Sequence, residues 1–91
     1  MLHEQIILDL IEECKRALRA GFAVSDIRSR VLADKIKLMI DETDTKELLE
    51  WLKEDRQYAY YYYDAEQSGV CAKPREAAAL IVESIVMDAL E

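Results

Sequence analysis

The chain has little of what small catalytic sites are usually made from. Its 91 residues hold one His, His3, and two Cys, Cys14 and Cys71. One imidazole and two thiols far apart in sequence cannot assemble a His/Cys metal quartet. A di-iron bundle site needs a Glu-x-x-His pair on each of two helices, which one His cannot supply. Two isolated glycines, Gly21 and Gly69, cannot build a phosphate-cradling loop. Two Cys make no disulfide framework. No apolar run reaches the ~18 residues of a membrane span. The first residues, MLHEQIILDLIEE, lack the basic start and small-residue cleavage site of a signal peptide. These shortages lead to the expectation of a reduced, cytoplasmic, soluble protein with no cofactor, no metal and no enzymatic activity. Basic residues are also in deficit: 12 Lys and Arg face 19 Asp and Glu, for a net charge of −7 and a pI near 4.7. Direct binding to a nucleic-acid backbone is thereby disfavoured, because Lys and Arg must neutralise phosphates. The acidity suits solubility or a basic protein partner.

What the chain does have is apolar and charged side chains, 52% and 34% of its residues, with one Pro to interrupt them. That profile predicts an all-α fold in a single domain, residues 1–91: a compact bundle of four helices with antiparallel neighbours, at about 3–20, 26–40, 45–67 and 75–90. The apolar content is high for so small a core and points to a homodimer or a partner surface.

In the first helix, Ile7, Ile11, Cys14 and Leu18 follow a 3-4 spacing, broadened by Ile6, Leu10 and Ala17. Acidic residues stand early and Lys15, Arg16 and Arg19 late, in line with the helix dipole. Gly21 reads as the C′ residue, with Phe22 folding back on Leu18. Ser25 is the expected N-cap of the second helix. Its apolar residues fall into two arcs, one of Val24, Ile27, Val31 and Leu38, the other of Leu32, Ile36, Met39 and Ile40. Arg28 and Lys35 lie between the arcs and are expected to snorkel along the core edge.

The third helix, TKELLEWLKEDRQYAYYYYDAEQ, carries the single Trp and all five Tyr. Asp44 and Glu47 give it a capping-box spacing. At about 100° per residue, Leu48, Leu52, Ala59 and Tyr63 line one side. Tyr58, Tyr60 and Tyr63 are then core or core-edge residues, and Tyr61, with Tyr62, is the exposed pair. Asp55 falls inside the aromatic arc, where a carboxylate needs a partner; the hydroxyls of Tyr58 or Tyr62 and the guanidinium of Arg28 are the candidates. Pro74 suits the first turn of the last helix. That helix is apolar almost all round, with Leu80 and Met87 opposite the main face of Ala78, Ile81, Val82, Ile85, Val86 and Ala89. Such a helix is a dimer seam or the central helix of a monomeric bundle.

Two surfaces follow as candidates. Tyr61 and Tyr62 with Glu50, Glu54 and Asp64 form an acidic, aromatic, partner-binding face, since Tyr offers contact area at low entropy cost. Cys14 reads as an inert core thiol, and Cys71, before Lys73, as a loop thiol whose reactivity is open. The other surface lies in residues 17–36. There Ala17, Gly21 and Ile27 stand at helix-turn-helix spacing, and RAGFAVSDI resembles the entry into the DNA-binding helices of transposase and resolvase families. The resemblance covers fewer than twenty residues. Arg30 stands where the second helix of such a unit packs an apolar residue, and no short third helix follows. It implies a dimeric DNA-binding regulator with Arg28, Arg30 and Lys35 on the DNA. The leading expectation is a non-enzymatic acidic helical protein that binds a basic protein, as an inhibitor, an immunity-type protein or an adaptor.

Overall fold

The computed structural model describes residues 2–69 and 73–91; Cys71 lies outside them. Among the described residues there are five helices and no strand. Helix α1 is Leu2–Arg19, and α2 occupies 24–42. Helices α3, Thr45–Glu54, and α4, Ala59–Gln67, follow, and α5 is Pro74–Ala89.

Helix α1 buries Ile7, Leu10 and Cys14, with Ile6, Ile11, Ala17 and Leu18 packed at the margin. It ends as its sequence predicts. Gly21 takes φ +100°. Its N–H donates to the Leu18 carbonyl at 3.1 Å, and the Phe22 N–H to the Ala17 carbonyl at 3.2 Å. That pair of bonds is the Schellman motif. Phe22 itself stays 53% exposed.

Helix α2 departs from expectation at both start and middle. Its N-cap is Ala23, not Ser25, and no side chain caps it. Ser25 sits inside the first turn, where its carbonyl accepts the Ser29 hydroxyl at 2.9 Å. The segment Ile27–Leu32 is wound as a π-helix between α-helical flanks. Bonds reaching back five residues bring Ile27 and Leu32 onto one face, and both are wholly buried. The winding advances the remainder of the helix by about one residue. Ile36, Met39 and Ile40 therefore enter the core, while Leu38 turns out to 58% exposure; Val24, ahead of the π-wound segment, is 47% exposed. The arc of Leu32, Ile36, Met39 and Ile40 is thus wholly in the core, whereas the other divides, with Ile27 buried, Val31 at the margin, and Val24 and Leu38 exposed.

The expected third helix is two helices, which raises the count from four to five. Asp55 adopts an extended conformation (φ −79°, ψ 129°) and ends α3. Its carboxylate accepts the Gln57 N–H at 2.8 Å and the Tyr58 N–H at 3.3 Å. Its carbonyl accepts the Ala59 N–H at 2.9 Å. A short side chain that bonds to nearby backbone N–H groups competes with helix continuation and starts a new one. Upstream, Asp44 caps α3 as expected, accepting from the N–H groups of Lys46 and Glu47.

Pro74 stands at the start of α5, which touches all four other helices. Ala77, Ala78, Ile81, Val82, Ile85 and Val86 are buried against them. Each of the larger four contributes roughly 1.5–3 kcal/mol by leaving water. The small Ala residues let the neighbouring helices approach closely. The near-continuous apolar cover of α5 is thus used within one chain, as the central helix. Leu80, on its outer edge, remains 43% exposed.

Candidate functional site

The break at Asp55 redistributes the residues of the expected acidic, aromatic face. Glu50 and Glu54 belong to α3, whereas Tyr61, Tyr62 and Asp64 belong to α4. The two groups no longer share a helix face. The tyrosines are also rotated from their expected places. Tyr60 and Tyr63, expected at the core, are 74% and 46% exposed. Tyr61 and Tyr62, expected outside, pack partly buried against the core.

Tyr61 donates its hydroxyl proton to Asp88 Oδ2 of α5 at 2.7 Å. That hydrogen bond, reinforced by burial and by the Asp88 charge, pushes the phenol up to about 12. Tyr62 meets Tyr63 edge-on at 5.5 Å, and Lys53 Nζ stands 5.8 Å from its ring centroid. Asp64 is exposed beside a small hollow that Tyr61 and Leu80 also line. Tyr61 and Tyr62 thereby link α4 to α5 and α3.

The proposed network of Asp55, Tyr58 and Arg28 does not form. Asp55 is committed to the backbone of residues 57 and 58. Arg28 is exposed and pairs with Glu83 of α5 at 3.4 Å. Tyr58 is buried under Trp51, ring centroids 5.7 Å apart. Burial pushes its phenol up, aided by the charges of Glu4 and Asp55. Among the described residues no charged or polar side chain outside the aromatics is buried in the core. The continuous-helix wheel placed Asp55 inside the arc; the extended backbone there takes it out.

The cations proposed for DNA lie on α2 but are mostly engaged. Lys35 Nζ stands 3.6 Å from Glu13 of α1, and Arg28 is held by Glu83. Arg30 is exposed. Cys14 is buried in α1, and burial pushes its thiol up; Lys35 lowers it and Glu13 raises it to smaller extents. A protonated, enclosed thiol is a packing group.

A concave acidic feature lies elsewhere, where the start of α1 meets α3 and the link before it. The His3 ring faces Trp51 at 5.7 Å between centroids, tilted by 40°. His3 Nε2 is 4.0 Å from Glu47 Oε1, and its Nδ1 is buried without a hydrogen-bond partner. Beside this ring pair opens a hollow of about 590 Å³. Leu2, Ile6 and Trp51 supply its apolar wall, and five acidic residues, Glu42, Asp44, Glu47, Glu50 and Glu54, also line it. Of the expected partner-binding residues, Glu50 and Glu54 are here. From the sequence none of the others is expected to bind a partner; Asp44 and Glu47 read there as a capping box. Part of the signal was present, since Glu47, Glu50 and Glu54 repeat at 3-4 spacing along one side of α3. That α1 docks His3 and Leu2 against them was not legible locally.

Among the described residues no group of three or more His, Cys, Asp or Glu side chains is placed to hold a metal ion. No helix among them is long and apolar enough to cross a membrane. Comparison of the chain with family models, curated proteins and solved structures finds no match.

Proposed function

We propose that the chain is a non-enzymatic protein-binding module that captures a basic protein at the Trp51 hollow. The observation that carries this reading is an open hollow lined by five acidic residues beside an apolar, aromatic wall. Acidic residues lining one hollow raise the local negative potential and steer a cationic surface toward them. A guanidinium or ammonium entering the hollow exchanges water for charge-assisted hydrogen bonds on the rim, and its alkyl stem covers the apolar wall. Solubility alone would need the charges but not the concavity or the exposed apolar wall. An inhibitor, immunity-type protein or adaptor would work in this way. If the target acts on nucleic acid, the carboxylates occupy its phosphate sites.

The test is affinity capture from host lysate at low and moderate salt, with the captured material analysed for both protein and nucleic acid. The expected result is one stoichiometric basic protein, released as salt rises and not retained by a Glu47→Gln, Glu50→Gln, Glu54→Gln variant. Association that is independent of salt counts against steering. Enrichment of a discrete DNA site would replace this reading with the helix-turn-helix one through Arg28, Arg30 and Lys35.

Homodimerisation is proposed at a separate face. A groove of about 510 Å³ between α2 and α5 has Ile36, Ile40, Ala79 and Leu80 in its walls. Its charges are of both signs, Lys37 and Arg75 beside Asp41, Glu76 and Glu83. On a chain of net charge −7, a second copy is repelled from most surfaces. A mixed-charge face with an apolar floor lets two copies meet without that repulsion.

A further inference from the structure

The Trp51 hollow does not end at α1. A second hollow, of about 340 Å³, lies between α1 and the later turns of α2. The two share Ile6, Glu42 and Thr43 in their walls, so they are adjoining parts of one trench. Helix α1 packs on the π-wound part of α2, and the trench opens between them beyond it. Its apolar floor runs from Trp51 and Leu2 through Ile6 and Leu10 to Leu38 and Met39. Two of the large apolar side chains most exposed on the molecule, Leu2 at 73% and Leu38 at 58%, lie along it. Asp9 and Glu13 extend the acidic rim. Among the described residues Lys35 is the one Lys or Arg that lines it, and it is paired with Glu13.

From Leu2 to Glu13 the trench follows α1 for about 16 Å, the length of about three helical turns. We propose that its occupant is a basic amphipathic helix of the partner protein, seated with its apolar stripe on Leu38, Ile6 and Trp51 and its Lys or Arg residues on the two rims. This rests on the protein-binding reading above and adds the shape and chemistry of the bound segment. A groove of this kind is read by apolar anchors at 3-4 spacing. Charge decides among occupants. A second copy of this chain would bring an equally acidic trench, and an anionic membrane surface or a nucleic acid would be repelled by the same carboxylates. A cationic helix is attracted by both rims at once, and its apolar stripe covers the leucines that are otherwise in water.

The experiment uses the full chain and two synthetic peptides of about 14 residues, a little over the length of the trench. Both contain only Lys and Leu in equal composition. One spaces its Leu residues at 3-4 intervals, and the other distributes them around the helix. Fluorescence of Trp51, the only Trp of the chain, reports binding. The striped peptide is expected to bind about tenfold tighter or more, the margin of one good apolar anchor. Leu38→Ser should abolish that margin. Leu8→Ser, at an exposed leucine outside the trench, should leave it intact. Both sites are exposed, so neither change threatens folding. Equal affinity for the two peptides would overturn helix docking and leave simple charge capture standing. So would equal losses from both leucine variants. Binding of neither peptide would remove the hollow as a protein-binding site altogether. Sedimentation of the chain alone showing a dimer that Leu38→Ser dissociates would assign the trench to a second copy and overturn the proposal.

Discussion

The Tyr61 hydroxyl and the Asp88 carboxylate form a hydrogen bond between α4 and α5, 27 residues apart in sequence. One partner is charged and the pair is partly open to water, so its removal by Tyr61→Phe should cost about 1 kcal/mol. The same bond gives stability a sign in alkali. In the unfolded chain a tyrosine loses its proton near pH 10, whereas here the phenol holds it to about 12. Between those values the folded state binds more protons than the unfolded, so stability falls as pH rises. Denaturant unfolding followed from pH 9 to 12 should therefore show a decline that is shallower in Tyr61→Phe. An equal slope in both proteins would mean that the Asp88 bond does not hold the proton. Cys14 illustrates a residue whose role was readable at once. Its place on the α1 stripe gives a buried thiol, and burial keeps it protonated.

At the scale of elements, two local departures from a regular α-helix set what the surface displays. Asp55 ends α3 and starts the next turn with its own side chain. Asp55→Ala removes that acceptor from two backbone N–H groups and should destabilise the fold by about 1 kcal/mol, as loss of an N-cap does. Asp55→Asn keeps an acceptor oxygen and should retain most of the stability. Thermal unfolding of the two variants checks the pair; equal losses would show that charge, not capping, is what Asp55 supplies. The π-wound turn of α2 acts on phase instead. It turns Leu38 outward into the trench and brings Ile36, Met39 and Ile40 inward. A continuous α-helix through 27–32 would have placed Leu38 on the stripe of Ile27 and Val31. Both departures sit inside segments whose apolar spacing reads as unbroken helix. A helical wheel carries one period through such a segment and places every later residue wrongly by the same rotation.

The whole molecule is organised on α5. Its buried face is satisfied by the chain's own helices, and what it leaves outside is a single large apolar residue, Leu80, in the mixed-charge groove. Leu80→Lys should cost little stability, since the residue is 43% exposed. If two copies meet there, sedimentation velocity over a range of concentrations should show a dimer for the original chain and a monomer for the variant. A monomer in both would exclude this groove as a seam. The acidic trench and this groove lie on different helix pairs, α1 with α2 and α3 for one, α2 with α5 for the other. A dimer and a bound partner are therefore compatible in one assembly.

The all-helical character was determined by composition alone: few breakers, abundant helix formers and periodic apolar residues leave little alternative. So were the local stops that depend on one residue type at one place, the positive-φ Gly21, the Asp44 cap and Pro74 at the start of α5. The acidic repeat of Glu47, Glu50 and Glu54 was also in plain view. What only the tertiary structure decided was helix phase and helix company. Whether Asp55 stays in a helix depends on a competition between helix continuation and the bonds of its own side chain to the backbone. Packing of α4 on α5, through Ala65 and the Tyr61–Asp88 bond, favours the broken one. The π turn in α2 is settled in the same way, by the burial of Ile27 and Leu32 together. Beyond that acidic repeat the trench has no local signal. Its walls come from three helices, and their charges meet only because α1, α2 and α3 are drawn together through the core around α5.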